Sequence, residues 1–159
     1  MKAAVLTVSD GVAAGTRTDE SGEVLASLLA SDGSEVERRA VADDVEEIAR
    51  AVTALAADAS LVLTTGGTGV APRDVTPEAT ASVLERVAPG ISEAIRADAI
   101  TKTPHGLLSR GIAGVRGTAL VVNLPGSTGG CRDGYAVLRP ALDHALRLLA
   151  DEATAHVQT

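Results

Sequence analysis

The stretch LVLTTGGTGVAPRD, residues 61–74, joins an apolar run to a glycine-rich loop that ends in an arginine and an aspartate. The run from Leu61 to Thr65 is short and apolar, which is typical of a strand buried on both faces of a parallel sheet. Gly66, Gly67 and Gly69 let backbone N–H groups approach a ligand, and the absence of a Lys-Ser/Thr pair excludes a Walker A loop. The stretch therefore predicts an α/β fold with a binding loop beyond this strand.

Further short apolar runs alternate with segments of helical periodicity on both sides of this strand. Strands are predicted over residues 3–8, 35–41 and 118–123, the charged second one at or near a sheet edge. Helices are predicted around residues 24–29, 45–55, 76–87, 91–102 and 138–149. Thr76 is expected to cap the third helix, with Pro77 in its first turn, and Pro140 to begin or kink the last. This order predicts one α/β domain over residues 1–151, with a mostly parallel sheet covered on both faces, and a loose tail over residues 152–159.

The composition of the chain indicates which classes of partner and which cellular compartment to expect. The chain has 14 basic and 21 acidic residues, a net charge of −7, and Tyr135 is its single aromatic residue. This charge has the wrong sign for binding nucleic-acid phosphates and no base-stacking platform is available, so we expect no nucleic-acid partner. The single cysteine, Cys131, excludes an internal disulfide and fits a reducing compartment. Because neither a leader peptide nor a membrane span is recognisable, we expect a cytoplasmic protein.

Loops rich in small polar residues follow three of the predicted strands, at residues 9–15, 64–74 and 123–130. Ligands of an open parallel sheet bind beyond the carboxyl ends of its strands, so these loops should meet at one site. Arg73 and Asp74 strengthen this interpretation, because an arginine for a phosphate beside a carboxylate for a metal suits phosphoryl chemistry. The other two loops contribute the candidate binding residues Ser9, Asn123, Gly126 and Ser127.

Asp43 and Asp44 follow the second predicted strand, where two roles are open. Either acid can cap the next helix by accepting a backbone N–H. If instead the sheet brings this loop beside Asp74, two carboxylates would face one phosphate site and hold Mg²⁺ with its waters. Ser109 and Arg110 also have two interpretations, as a helix-end turn or as ligands of an anionic group.

Four segments occur in an order and spacing that resemble the Mog/MoaB family of molybdenum-cofactor proteins over nearly the whole chain. They are VSDGVAAGTRTDESG at 8–22, TTGGTGVAPRDVTPEAT at 64–80, PGISEAIR at 89–96 and LLSRGIAGVRGTALVVNLPGS at 107–127. GGTG followed by RDVTPE and a later LPG is a far more specific combination than any of its parts. One departure from the family pattern is Thr128, where many members have proline.

The resemblance implies a three-layer α/β fold, assembled as a homotrimer, that binds molybdopterin and, in the catalytic members, ATP with Mg²⁺. In those members the terminal phosphate of molybdopterin attacks the α-phosphate of ATP, giving adenylylated molybdopterin and pyrophosphate. Asp43 and Asp74 match the acidic positions tied to catalysis and to the metal. The positions that match the nucleotide-facing loop and the nucleotide and pterin site are Gly66, Gly67, Thr68, Gly69, Ser109, Asn123, Gly126 and Ser127.

The function implied is that of a molybdopterin adenylyltransferase, with hand-over of its product to a molybdate-insertion protein. Its chemistry needs no protein nucleophile, because the substrate phosphate supplies one. Two alternatives stay open, namely a carrier paralogue that binds molybdopterin without catalysis and another nucleotide-phosphate enzyme on the same domain. The presence of both acids, Asp43 and Asp74, favours the transferase over the carrier.

Overall fold

The computed structural model describes the backbone of residues 1–157 and the side chains of residues 1–151. Strands and helices alternate through most of this part of the chain, as expected where parallel strands are joined by helical crossovers. In chain order the elements are β1 (Lys2–Val8), α1 (Asp10–Ala13), α2 (Glu20–Ser31), β2 (Glu35–Val41), α3 (Val45–Asp58), β3 (Leu61–Thr65), α4 (Thr76–Val83), β4 (Arg86–Val87), α5 (Pro89–Lys102), a 3₁₀ helix (Pro104–Leu108), β5 (Ala113–Arg116), β6 (Ala119–Leu124) and α6 (Thr128–Val157).

The strands form one sheet in the order β2-β1-β3-β6-β5-β4. The pairings of β1 with β2, β1 with β3 and β3 with β6 are parallel, whereas those of β6 with β5 and β5 with β4 are antiparallel. Thr65 lies beside Thr7 on one side and Leu124 on the other, so three parallel strands end level with one another. The mostly parallel sheet predicted from the sequence is confirmed, with β3 in its interior and β2 at an edge.

Alternate residues of the strands face two separate apolar cores. Ala3 and Val5 of β1 face a core that contains side chains of α2, α5 and α6. Ala4 and Leu6 face a second core, made with α3 and α4. This is the three-layer arrangement that the family resemblance implies. Because helices cover both faces, the loops at the strand ends remain accessible to a ligand.

The helix expected over residues 76–87 ends at Val83, which corrects one prediction. Arg86 and Val87 instead form β4, which pairs with β5. A Cβ at Gly114 of β5 would lie 2.3 Å from the Arg86 carbonyl oxygen, so this glycine permits the close approach of the two strands. Strand pairing thus outweighs the helical periodicity of the segment, as tertiary context often does.

The β5–β6 hairpin is a second difference, because the sequence analysis predicts no strand for residues 113–116. Arg116 pairs with Ala119 across a two-residue turn. Gly117, at the first turn position, has a φ of 57°, a conformation that glycine adopts without strain. The signal for the hairpin was therefore this glycine between two apolar runs.

Two helix starts also differ from the predictions. Thr76 is the first residue of α4, which has no side-chain cap, and its hydroxyl donates to the Gly66 carbonyl oxygen at 2.9 Å. Pro140 lies inside α6 and does not begin it. The backbone of α6 runs to Val157 and so extends into the tail predicted over residues 152–159, whose side chains are not described; the domain boundary stays a prediction. Within the described part of the chain, none of the helices combines the length and the hydrophobicity that a membrane span requires.

Candidate active site

Two adjoining cavities lie where the parallel strands end. Cavity A has a volume of about 830 Å³ and lies beyond β1, β2 and β3, and cavity B has a volume of about 530 Å³ and extends towards α5. The predicted site residues that line cavity A are Ser9, Asp43, Gly66, Gly67, Asp74, Gly126 and Ser127. Those that line cavity B are Gly67, Thr68, Gly69, Asp74, Ser109, Gly126 and Ser127. Four of these residues belong to both cavities, which are therefore neighbouring parts of one site.

The loop after β3 forms part of the wall between the cavities. Gly66 and Gly67 have φ angles of 95° and 68°, which favour glycine. A Cβ on Gly66 would lie 2.4 Å from the Val8 carbonyl oxygen, and one on Gly67 would lie 2.3 Å from Thr76 Oγ1. The loop is thus pressed against β1 and α4, and it presents main chain rather than side chains to a ligand.

The adjacent acids Asp43 and Asp44 occupy different environments. Asp44 is the N-cap of α3, and its Oδ1 accepts the Glu47 N–H at 2.9 Å. Asp43 lines cavity A, and its Oδ2 accepts the Asp10 N–H at 3.0 Å. The capping role that was open for either acid is thus filled by Asp44, which leaves Asp43 for the cavity.

Asp10 and Asp43 form a reciprocal pair that joins the loops after β1 and β2. The Asp43 N–H donates to Asp10 Oδ1 at 3.0 Å, which matches the bond from the Asp10 N–H to Asp43. Arg73 binds the Asp10 carboxylate through Nε at 2.7 Å and Nη2 at 3.0 Å. The hydrogen bonds from Arg73 and, to a smaller extent, from the Asp43 main chain hold the pKa of Asp10 below its ordinary value. Arg73 lines neither cavity, so its charge is directed to Asp10.

The position of Asp74 depends on its own loop and on Arg110. Asp74 Oδ2 accepts the Ala71 N–H at 3.0 Å. Arg110 donates from Nε to the Gly69 carbonyl oxygen and from Nη2 to the Asp74 carbonyl oxygen, each at 2.7 Å. Arg110 also pairs with Glu78, which raises the pKa of the guanidinium and lowers that of the carboxyl. Of the two roles open for Arg110, these contacts favour a structural one, holding the Asp74 loop in place.

Ser109 and Asn123 lie differently with respect to the cavities. Ser109 lines cavity B, whereas Asn123 is buried and lines neither cavity. Asn123 Nδ2 donates to Thr64 Oγ1 at 2.9 Å and to Thr80 Oγ1 at 3.0 Å. Its Oδ1 accepts the Ile112 N–H at 3.2 Å. Asn123 therefore joins β6 to β3 and α4 and supports the strand ends that carry the site.

The loop after β6 leads into the first turn of α6. Ser127 Oγ accepts the Gly130 N–H at 3.1 Å, as a capping side chain does. Thr128 lines cavity A, whereas Gly129 and Gly130 line cavity B. The N-terminus of α6 thus separates the two cavities, at the position where many family members have proline.

Cys131 lies directly under this loop. Its Sγ is 3.3 Å from Thr65 Oγ1 and donates to the Pro125 carbonyl oxygen at 3.2 Å. The side chain is fully buried, and burial raises the pKa of the thiol. Cys131 therefore acts here as a packing residue that ties α6 to the ends of β3 and β6.

Residues 17–21, at the start of α2, form a part of cavity A that was not predicted from the sequence. Asp19 caps this helix by accepting the Gly22 N–H at 3.0 Å, and it also accepts the Thr7 hydroxyl at 2.9 Å. The available signal was an aspartate at a predicted helix start that follows the loop after β1. Cavity B also includes residues that were not predicted, among them Ile95, Asp98, Ala99, Lys102, His105 and Asp133.

Asp43 and Asp74 are the predicted metal ligands, and both line cavity A. In each carboxylate, Oδ1 makes no hydrogen bond with the described part of the chain, whereas Oδ2 accepts a backbone N–H. Among the described residues, no group of three or more His, Cys, Asp and Glu side chains is placed to hold a metal ion. The pair can therefore contribute two oxygen ligands to a cation whose remaining ligands are waters or phosphates.

Comparison with known proteins identifies the family and the fold of the chain. Residues 4–144 match the family described as "Probable molybdopterin binding domain". The chain is 37% identical over 157 residues to gephyrin of Dictyostelium discoideum, covering 91% of this chain and 22% of gephyrin. It is 34% identical over 150 residues to the molybdopterin adenylyltransferase of Helicobacter pylori, covering 91% of this chain and 85% of that protein. The solved structure of the molybdopterin biosynthesis protein Mog of Mycobacterium ulcerans is 43% identical, with a TM-score of 0.88 and coverage of 93% and 98%.

The chain belongs to this family of molybdopterin-binding domains, in which the sequence had placed it through its likeness to Mog and MoaB. Several curated relatives are much longer than the matched region. The chain spans half or less of the length of the first four of them, from 22% to 50%.

Proposed function

We propose that this chain, as a member of the molybdopterin-binding family, is a molybdopterin adenylyltransferase of molybdenum-cofactor biosynthesis. It would transfer the AMP group of ATP to the terminal phosphate of molybdopterin and release pyrophosphate. The observation that carries the proposal is the presence of Asp43 and Asp74, from the loops after β2 and β3, in the wall of one cavity. The adenylyltransferase of Helicobacter pylori, which the chain matches over most of both lengths, supports it.

In this reaction an oxygen of the molybdopterin phosphate forms a bond to the α-phosphorus of ATP. The bond from that phosphorus to the bridging oxygen breaks, and pyrophosphate leaves with the electron pair. The protein has to align two anionic groups and stabilise the charge that develops between them. We assign alignment to the main chain around Gly66, Gly67 and Gly126, with Ser9, Thr68, Gly69, Ser109 and Ser127 as further binding residues, and support of the strand ends to Asn123.

We further propose that Asp43 and Asp74 bind Mg²⁺ together with the phosphates of ATP. The donor set fits this ion, because Mg²⁺ takes oxygen ligands, keeps several waters and is bound by one or two carboxylates plus substrate phosphates. When bound, it supplies positive charge at the phosphate oxygens. Asp10 and Arg73 fix the main chain that carries Asp43, and Arg110 fixes the loop that carries Asp74.

We also propose an oligomeric state, a compartment and a partner for the enzyme. We propose a homotrimer in the cytoplasm that passes its product to a molybdate-insertion protein, supported by the family resemblance. Light scattering at micromolar concentration measures the assembly directly, and a monomer would contradict this part of the proposal.

Pyrophosphate release tests the proposed reaction. The purified chain is incubated anaerobically with MgCl₂ and ATP, molybdopterin or both, and pyrophosphate is measured in each mixture. We expect release that requires both substrates and stops when EDTA removes the metal. Release from ATP alone would indicate another nucleotide-phosphate enzyme, and molybdopterin binding without release would indicate a carrier.

A further inference from the structure

Most of the charged side chains that line cavity A are acidic. Asp19, Glu20, Asp43 and Asp74 are acidic, and Arg17 is the single basic residue in this wall. The protein as a whole has a net charge of −7. A phosphate ligand would therefore enter a negative region, where the nearest available cation has a large influence on binding.

Three other arginines that contact the loops around cavity A are already paired with carboxylates. Arg73 binds Asp10, Arg110 binds Glu78, and Arg38 binds both Asp19 and Glu23. Arg17 is different, because its side chain makes no hydrogen bond or ion pair with any residue that the structure describes. Its guanidinium can thus bind an anion without first breaking a protein contact.

The local backbone places the Arg17 side chain at the cavity. The Arg17 N–H donates to the Gly11 carbonyl oxygen at 3.1 Å, which fixes the chain just before α2. A Cβ on Gly11 would lie 3.2 Å from both Cβ and Cδ of Arg17, so the arginine stem crosses the face of Gly11. Gly11 has an ordinary negative φ, which means that its importance here is space and not conformation. The missing side chain at Gly11 makes room for this arginine.

We propose that Arg17 binds a phosphate group of the substrate in cavity A, through charge-assisted hydrogen bonds from its guanidinium. The inference rests on the proposed function and assigns to Arg17 the phosphate role that the sequence suggested for Arg73. A planar guanidinium suits phosphate oxygens because it can donate two parallel hydrogen bonds. The phosphate belongs either to the nucleotide or to the pterin, and the two sources give different results below.

Calorimetric titration of the full chain in MgCl₂ tests this role with four probes, namely inorganic tripolyphosphate, ATP, AMP and molybdopterin under anaerobic conditions. In Arg17→Gln we expect binding to weaken about tenfold, the effect of losing a charge-assisted contact of about 1.4 kcal/mol. If Arg17→Gln weakens the binding of tripolyphosphate and ATP much more than that of AMP, Arg17 contacts the polyphosphate of the nucleotide. A loss for molybdopterin alone identifies the pterin phosphate.

Two further variants separate the charge from the shape of the side chain. Arg17→Lys should keep part of the affinity, since lysine retains the charge but not the paired donors. Gly11→Ala leaves Arg17 in the sequence but displaces its stem, so we expect binding to weaken by about threefold. Arg147→Gln on α6, which lines neither cavity, is the matched control for loss of one positive charge. It should leave all four affinities unchanged.

The outcomes distinguish this inference from the proposed function. Equal affinities of wild type and Arg17→Gln for every probe that binds would overturn the role of Arg17 while leaving the transferase proposal intact. If the wild type binds tripolyphosphate but neither ATP nor molybdopterin, the transferase proposal is overturned. The role of Arg17 would then still be decided by comparing the tripolyphosphate affinities of wild type and Arg17→Gln. A wild type that binds no probe would overturn both.

Discussion

Cavities A and B share Gly67, Asp74, Gly126 and Ser127 but differ in how their charges are used. In cavity B, the carboxylates of Asp98 and Asp133 are both paired with Lys102 within the wall. In cavity A, within the described part of the chain, Oδ1 of Asp43 and Oδ1 of Asp74 accept no hydrogen bond and the Arg17 guanidinium has no partner. Of these three groups only Asp74 also borders cavity B, so the charges left for a phosphate ligand and its metal lie mainly in cavity A.

Asp74 borders both cavities, so its replacement is the strongest test of this difference. In Asp74→Asn we expect adenylyl transfer to fall below detection while molybdopterin still binds, because the amide keeps the shape but cannot offer a charged metal ligand. Turnover and molybdopterin affinity are measured on the same preparation. Retained turnover would contradict a metal role for this carboxylate.

Asp43 lines cavity A alone, and its neighbour Asp44 provides a matched control. We expect Asp43→Asn to lower turnover by on the order of a hundredfold, a loss of about 3 kcal/mol in transition-state stabilisation. Asp44→Asn should be nearly silent, since asparagine caps a helix about as well as aspartate. Turnover and melting temperature are compared for both variants.

The same two variants can also show that Asp43 is not the acid that acts in cavity A. Normal turnover in Asp43→Asn together with an inactive Asp44→Asn would show that the wrong acid had been assigned to the cavity. Normal turnover in both would leave neither acid with a role beyond holding the loop and the helix.

Arg110 supports the loop shared by the two cavities, and its removal should therefore affect both. Arg110→Ala leaves the carbonyl oxygens of Gly69 and Asp74 without a donor, which we expect to cost about 1–2 kcal/mol of stability and about tenfold in turnover. Added guanidinium at millimolar concentration should restore part of the turnover. A lower melting temperature with unchanged turnover would restrict Arg110 to a role in stability.

The sequence predicts the parallel part of the sheet well, because buried strands such as Leu61–Thr65 and amphipathic helices such as α3 carry strong local patterns. It predicts β4 poorly, since Arg86 and Val87 become a strand only by pairing with β5. The same limit applies to the site. Glycines and acids in the strand-end loops are recognisable by motif, but whether an arginine is already paired with a carboxylate depends on contacts between distant loops.

Arg73 and Asp10 illustrate this limit. They are far apart in sequence yet form a bidentate ion pair, and nothing in the motif around Arg73 announces that pairing. Arg17 lies in a family segment, residues 8–22, in which the sequence analysis assigns it no role, and the Arg17 stem packs against Gly11 at the edge of cavity A. Sequence patterns thus indicate which chemical groups are present, whereas the fold decides which of them remain available.

Tyr135 lies outside both cavities and should give the smallest effect. Its hydroxyl donates to Asp32 Oδ2 at 2.8 Å, beside the Arg139 guanidinium. We expect Tyr135→Phe to lower the melting temperature by about 2–4 °C and leave turnover unchanged. A change in turnover would show that the site depends on this distant end of α2.

The same contact predicts a pH dependence of stability. The hydrogen bonds from Arg139 and, to a smaller extent, from Tyr135 hold the pKa of Asp32 below its ordinary value. This stabilisation is therefore complete above the pKa of an unfolded aspartate, about 3.9, and is lost as the pH falls through the lower folded value. Thermal melts between pH 2 and 6 should show a weaker acid loss in Tyr135→Phe than in wild type. An identical profile in both would contradict the contribution of the hydroxyl.

The buried thiol of Cys131 offers a way to watch the site open. It is the only cysteine in the sequence, and it donates to the Pro125 carbonyl oxygen in the loop after β6, whose Gly126 and Ser127 line both cavities. A thiol reagent can reach it only when α6 and this loop separate, so the labelling rate reports the population of that opened state. Ligands that bind across the loop should slow the labelling in proportion to their affinity, which turns an unreactive packing residue into a native probe of local dynamics.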